Sequence, residues 1–157
     1  MISTLESNLA SVDDRFLNDT ELRPLEEYIK SHTLRIKTYR LIQSHTEEVV
    51  LKTLRKMVAE HPPEMMQQVG QTCKRDLTNI MHYMGLCILK NDVQGFYEEF
   101  TLWMDTMMKA FKLKNVSQVD YTHLPNVVKE VFPEESAKIM FIYIDQLIEA
   151  MGQGAAV

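Results

Sequence analysis

The chain has 157 residues, 45% of them hydrophobic, with a formal net charge of −5 and a sequence pI near 5.5. That length supports one domain, 1–157, with a sizeable core, and the acidic balance argues against a nucleic-acid partner, whose phosphates reward clustered Lys and Arg. The one basic run, LKTLRK at 51–56, is short and interrupted and reads as the wet side of a helix, and no apolar run is long enough to span a bilayer.

Five glycines, five prolines and the lack of alternating β-branched runs predict a nearly all-helical chain. The opening MISTLESNLASVDDR carries acidic residues where a secretion signal would be basic, so a cytoplasmic location is expected. Ile2, Leu5 and Leu9 space a short amphipathic arm over 1–18, which has few neighbours of its own and is expected to pack on another chain. A long helix opens at Asn18 or Asp19, with Glu21 complementing the dipole of its first turn. Leu22, Leu25, Ile29, Ile36, Tyr39, Ile42, Val49, Val50, Leu54, Met57 and Val58 then recur at helical spacing until His61, Pro62 and Pro63 stop it.

The second helix is expected over 64–90, ended by Lys90, Asn91 and Asp92, and the third over 93–113, ended by KNVSQ. A segment of one or two turns starts near Pro125. The last helix opens at PEES, where Pro133 suits the first turn and Glu134 and Glu135 sit at the positive end. It runs through Ile139, Ile142, Tyr143, Leu147 and Met151 to Gly152, leaving 153–157 as a frayed tail after a core of 19–152. Met65, Met66, Met81, Met84, Met104, Met107 and Met108 fall at helical intervals and read as core filler.

Much catalytic chemistry is missing. His32, His45, His61, His82 and His123 show no zinc-ligand spacing, and neither a Walker loop, a G-x-G-x-x-G nor a G-x-S-x-G is present. Cys73 and Cys87, on one helix, are separated by about 21 Å, too far for a disulfide, and read as free thiols. Cys87, between Leu86 and Ile88, looks like an inert small hydrophobe. Cys73 is followed by Lys74 and Arg75, which would favour its thiolate. Cys73 and Asp76 share a helix face while Arg75 lies about 200° from Cys73 around the axis, so one molecule touched by all three must be bulky. A haem on His82 is a further reading.

Four stretches resemble one family. DDRFLNDTEL at 13–22 resembles the turn and helix start of the main body of phycobiliprotein subunits. TCKRDL at 72–77 is similar to the T-C-x-R-D-[LI] chromophore-attachment motif of their α-type subunits. LCILKNDVQGFYEEF at 86–100 resembles their helix, turn and next helix, and PNVVKEVFPEESAKIMFIYIDQLIEAMG at 125–152 their C-terminal end. The order is right over nearly the whole chain.

The resemblance implies an all-α, globin-like helical bundle with an N-terminal helical extension used for dimerisation, and no enzymatic activity. It implies a linear tetrapyrrole, a phycocyanobilin-type bilin, bound through a thioether at Cys73, with Arg75 on a propionate and Asp76 on the pyrrole nitrogens. A guanidinium fork suits a carboxylate, and a carboxylate suits N–H donors. Asn79 and Tyr83 are expected along the same pocket. The implied partner is a second copy or another phycobiliprotein-like subunit, and the implied place is the cytoplasmic face of the thylakoid membrane. Asn79 and Ile80 stand where the family has aromatics, His82 where it has arginine, and the segment before Cys73 is shorter. Those departures imply an exposed, loosely held bilin in a light-harvesting or light-related role, or a chromophore-free regulatory or assembly module that keeps the fold.

Overall fold

The protein, as a computed structural model, is described over residues 15–60, 63–111 and 121–150, excepting the side chains at 64–69, 101, 104, 105 and 107–111. The amphipathic arm up to residue 14, the KNVSQ stop, the tail and Met65, Met66, Met104, Met107 and Met108 as core filler lie outside what is described. Five α-helices follow one another: α1 (Asp19–Glu60), α2 (Pro63–Lys90), α3 (Val93–Phe111), α4 (Leu124–Val131) and α5 (Glu134–Ala150), with a 3-10 turn at Tyr121–His123 before α4. No strand occurs among the described residues.

Local chemistry sets the helix ends. Asn18 and Glu21 form a reciprocal capping box: the Asn18 Oδ1 accepts from the Glu21 N–H at 3.0 Å, and Glu21 Oε2 accepts from the Asn18 N–H at 2.9 Å. Arg15 clamps the same carboxylate at 2.9 and 2.7 Å, and its hydrogen bonds, followed by the one from Asn18, hold Glu21 down to about 2. Between α2 and α3, Asn91 takes the left-handed conformation at φ 54. Asn91 N–H bonds the Ile88 carbonyl and Asp92 N–H the Cys87 carbonyl, which closes α2 in a Schellman turn. Asp92 then caps α3, its Oδ1 accepting from Gly95 N–H at 3.1 Å. Pro133 lies just ahead of α5, where its carbonyl accepts the first helical bonds from Ser136 and Ala137.

Burial along α1 begins later, and on other residues, than the apolar pattern predicts. None of residues 19–34 is buried, Ile29 being 63% exposed. From there the inward stripe is Arg35, Thr38, Ile42, Thr46, Val49, Val50, Thr53 and Met57, while Val58 is exposed and Ile36, Tyr39 and Leu54 are half-buried. Small hydroxyl residues face inward because neighbouring helices come close. A β-carbon on Gly85 of α2 would meet Tyr39 at 3.3 Å, and Thr38 donates to Ser136 of α5 at 3.0 Å. Thr46 returns its hydroxyl to the Ile42 carbonyl.

Arg35 is buried and ties α1 to the end of α2. It donates to the Leu89 carbonyl, to the Tyr28 carbonyl at 2.7 Å and to Ser31 Oγ at 3.2 Å, with its guanidinium 4.1 Å over the Tyr28 ring. Around that joint the core is built from Met81, Met84, Cys87 and Ile88 of α2, Phe96 and Phe100 of α3, Val127 and Val128 of α4, and Met140, Tyr143, Ile144 and Leu147 of α5. No described helix is long and apolar enough to cross a membrane.

Candidate functional site

The α2 helix carries every residue of the predicted site, but it presents them to different surroundings. Cys73 is 1% exposed and packs in a small cluster with Met57 and Leu54 of α1. Burial pushes its thiol up, and the negative charge of Asp76 adds to the effect. The expectation that Lys74 and Arg75 would favour the thiolate is therefore overturned. The reason is angular: Asp76, at i+3, shares the thiol's face, whereas Lys74 lines a groove toward α1 and the Arg75 side chain is 67% exposed.

Arg75 Nε donates to Asp76 Oδ1 at 3.3 Å, and the Asp76 side chain is only 16% exposed. A long contact made by so exposed a guanidinium is worth little, which leaves Arg75 able to turn to another carboxylate.

From Asp76 onward α2 forms one wall of a cleft of about 270 Å³, close to the lower end of ordinary ligand pockets at roughly 300–1,000 Å³. That wall is Asp76, Asn79, Ile80 and Tyr83, and the facing wall from α3 is Phe96, Glu99, Phe100 and Trp103. Both sets have the spacing i, i+3, i+4, i+7 of one helix face. The tight Asn91–Asp92 turn brings the start of α3 back against the end of α2. Tyr83 stacks on Phe96 at 5.6 Å, and Phe96 continues to Phe100 at 6.1 Å and Phe100 to Trp103 at 5.6 Å. Asp76, about 10 Å along α2 from Tyr83, lines the same cleft as Trp103.

Burial drives the Tyr83 hydroxyl far above the usual phenol range, and the neighbouring Glu99 and Cys87 side chains add to the effect. Tyr121, buried in the 3-10 turn, senses the charges of both Asp76 and Cys73, after desolvation, as an upward push on its own hydroxyl. The structure thus gathers Asp76, Asn79 and Tyr83 on one cleft wall. It puts Arg75 outside the lining and turns Cys73 onto α1, one turn before the cleft.

Sequence reasoning passed over Phe96, Glu99, Phe100, Trp103 and Tyr121. The signal for the first four was their period in VQGFYEEFTLW, readable as a wall only once α2 and α3 are taken as a hairpin. His82 is exposed and lines the groove toward α1 with Gln43, Thr46, Glu47, Val50, Lys74 and Thr78, so it does not offer an axial ligand to the aromatic cleft. No group of three or more potential metal ligands occurs among the described residues.

The donor set suits a flat conjugated ligand bearing N–H groups. Aromatic faces supply the walls, carboxylates accept N–H bonds, and an exposed guanidinium lies within reach of acidic tails. Of the predicted residues, Cys73 faces α1 and Arg75 lies outside the cleft lining. In comparison with known proteins, the family model described as Phycobilisome protein matches residues 8–151, and no curated protein matches.

Proposed function

The chain belongs to the phycobilisome protein family, with the all-α globin-like bundle of that family, and on this premise we propose that it binds a linear tetrapyrrole of the phycocyanobilin type in the α2–α3 cleft. The role is non-enzymatic and light-harvesting or light-related, exercised with another copy or another subunit of the family on the cytoplasmic face of the thylakoid membrane. One observation carries the reading: Asp76, Asn79 and Tyr83 line a cleft whose opposite wall is aromatic, immediately after the cysteine of the TCKRDL motif.

Each residue has a task that follows from its chemistry. Asp76 accepts the pyrrole N–H groups in a poorly hydrated corner, where a charge-assisted bond is strong. Arg75 leaves its weak contact with Asp76 to pair with a propionate at the rim. Asn79 offers amide donors and an acceptor to the ligand's edge. Cys73 is the attachment atom, reached when its sulfur turns from Met57 and Leu54 toward the cleft. Docking therefore precedes bonding.

The burial of Cys73 also favours a second reading, a chromophore-free interaction module that retains the fold. Co-production with phycocyanobilin, followed by absorption spectra of the native protein and zinc-enhanced fluorescence of the denatured band, separates the two. A visible band with a fluorescent polypeptide, lost in Cys73→Ser, establishes covalent binding. A visible band without a fluorescent polypeptide establishes binding without the bond. A colourless, well-folded product refutes the proposal and leaves the interaction module.

A further inference from the structure

Resting on the tetrapyrrole reading, we infer that Glu99 and Trp103, on the α3 wall, complete the binding site: Glu99 as a second acceptor for the ligand's positive, N–H-bearing core, and Trp103 as the stacking face over the part held by Asp76. Neither residue lies in the TCKRDL motif. Three observations converge on them.

First, the cleft holds two carboxylates, one from each helix, Asp76 and Glu99, in an otherwise largely aromatic lining. Asp76 is largely buried and Glu99 is exposed, so a ligand with a cationic conjugated core finds a charge partner on each helix, whereas one presenting its own carboxylates inward meets two like charges. The cleft therefore fixes orientation, with the N–H edge inward and the acidic tails outward toward Arg75.

Second, Glu99 lines the same cleft as Tyr83 from the α3 side and is an exposed side chain, so it presents carboxylate lone pairs that a ligand's N–H groups can use.

Third, Trp103 lines the cleft, is 40% exposed and stands at the end of the Tyr83–Phe96–Phe100–Trp103 succession. It shares the cleft lining with Asp76. A large aromatic half open to solvent gains by being covered with another π-system.

Trp103 is also the chain's single tryptophan, so its fluorescence reports this cleft alone. The test titrates free biliverdin into the full-length protein made in a host without bilins, reading Trp103 quenching and, independently, the induced circular dichroism of the bilin. Wild type is expected to give saturable quenching. Glu99→Gln, which keeps the size and an acceptor oxygen but removes the charge, is expected to weaken binding about tenfold or more. Glu98→Gln, the same change one residue earlier on a side chain bonded to Gln94 away from the cleft, leaves affinity unchanged. Trp103→Ala, followed by circular dichroism, is expected to weaken binding at least about fivefold. Glu99→Gln or Trp103→Ala binding within twofold of wild type overturns this inference while leaving the tetrapyrrole reading intact. Absence of both signals from wild type overturns that reading, and this one with it.

Discussion

Met57→Ala tests whether the packing of Cys73 on α1 is what limits access to the thiol. Met57 is fully buried and forms a two-residue cluster with Cys73, bordered by half-buried Leu54. Buried Met→Ala changes cost about 2–5 kcal/mol, the lower values where the surroundings can collapse. Leu54 lies at that edge, so a loss of about 2–3 kcal/mol is expected in urea unfolding. If the thiol were reached only by global unfolding, labelling by a disulfide reagent would rise in proportion to the unfolded population, about 30-fold for 2 kcal/mol. A cavity beside the sulfur opens a second, local route. In a Cys87→Ser background, which leaves Cys73 as the reporting thiol, Met57→Ala is expected to raise labelling at least about tenfold beyond Val49→Ala. Val49 is also fully buried but belongs to the main core cluster, so it serves as the comparison at matched stability. Equal labelling rates in the two variants at equal stability would refute the gating role of Met57. Under the attachment proposed at Cys73, bilin coupling should accelerate with the labelling rate.

Three further outcomes follow from the helix ends and the buried arginine. Glu21 is held down to about 2 from an ordinary 4.5. A depressed carboxylate stabilises the fold above its unfolded value and loses that effect as pH falls through its folded value. Amide protection in the first turn of α1 should thus hold above about pH 4.5 and fade toward pH 2, by hydrogen exchange, and Glu21→Gln should abolish the transition. Asp92→Ala should cost about 1 kcal/mol through loss of the α3 cap. A β-carbon at Gly95 would sit 2.4 Å from Asp92 Oδ2, so Gly95→Ala should stabilise in the Asp92→Ala background, by about the 1 kcal/mol that separates Ala from Gly in a helix, but not in wild type. Denaturant midpoints for the four-member cycle read the coupling. Arg35→Met keeps the stem but strands the Leu89 carbonyl and leaves the Tyr28 carbonyl with Ser31 Oγ as its side-chain donor, and is expected to lose about 1–3 kcal/mol.

What the sequence disclosed, and what it hid, divides by the range of the forces involved. Helix ends were legible because their causes are local: Asn18 with Glu21, Asn91 with Asp92, Pro133 before two glutamates. The inward stripe of α1 was not. Ile36, Tyr39 and Val58 gave the stronger hydrophobic signal, yet Thr38, Thr46 and Thr53 are the buried ones, because Gly85 and Ser136 on other helices set how closely those helices approach. At the site, the resemblance put Asp76, Asn79 and Tyr83 along one pocket, and their spacing on one helix face agrees with it. The α3 wall needed the return of the chain at the Asn91 turn. The direction of the Cys73 sulfur depended on Met57, which no pattern within α2 could report.

That last contact bears on how the cleft and the thiol cooperate. They occupy neighbouring turns of one helix but open onto different partners, the cleft onto α3 and the thiol onto α1. Burial and Asp76 both keep the sulfur protonated while it faces Met57, so the resting thiol is a poor nucleophile. A ligand seated on Asp76 changes that balance, since N–H groups bonded to the carboxylate neutralise the charge that helps hold the thiol's proton. If Cys73 is the attachment atom proposed above, occupancy of the cleft would thereby activate it, a molecule lacking the N–H core would leave it inert, and discrimination before bonding would reside in Asp76 and the α3 wall.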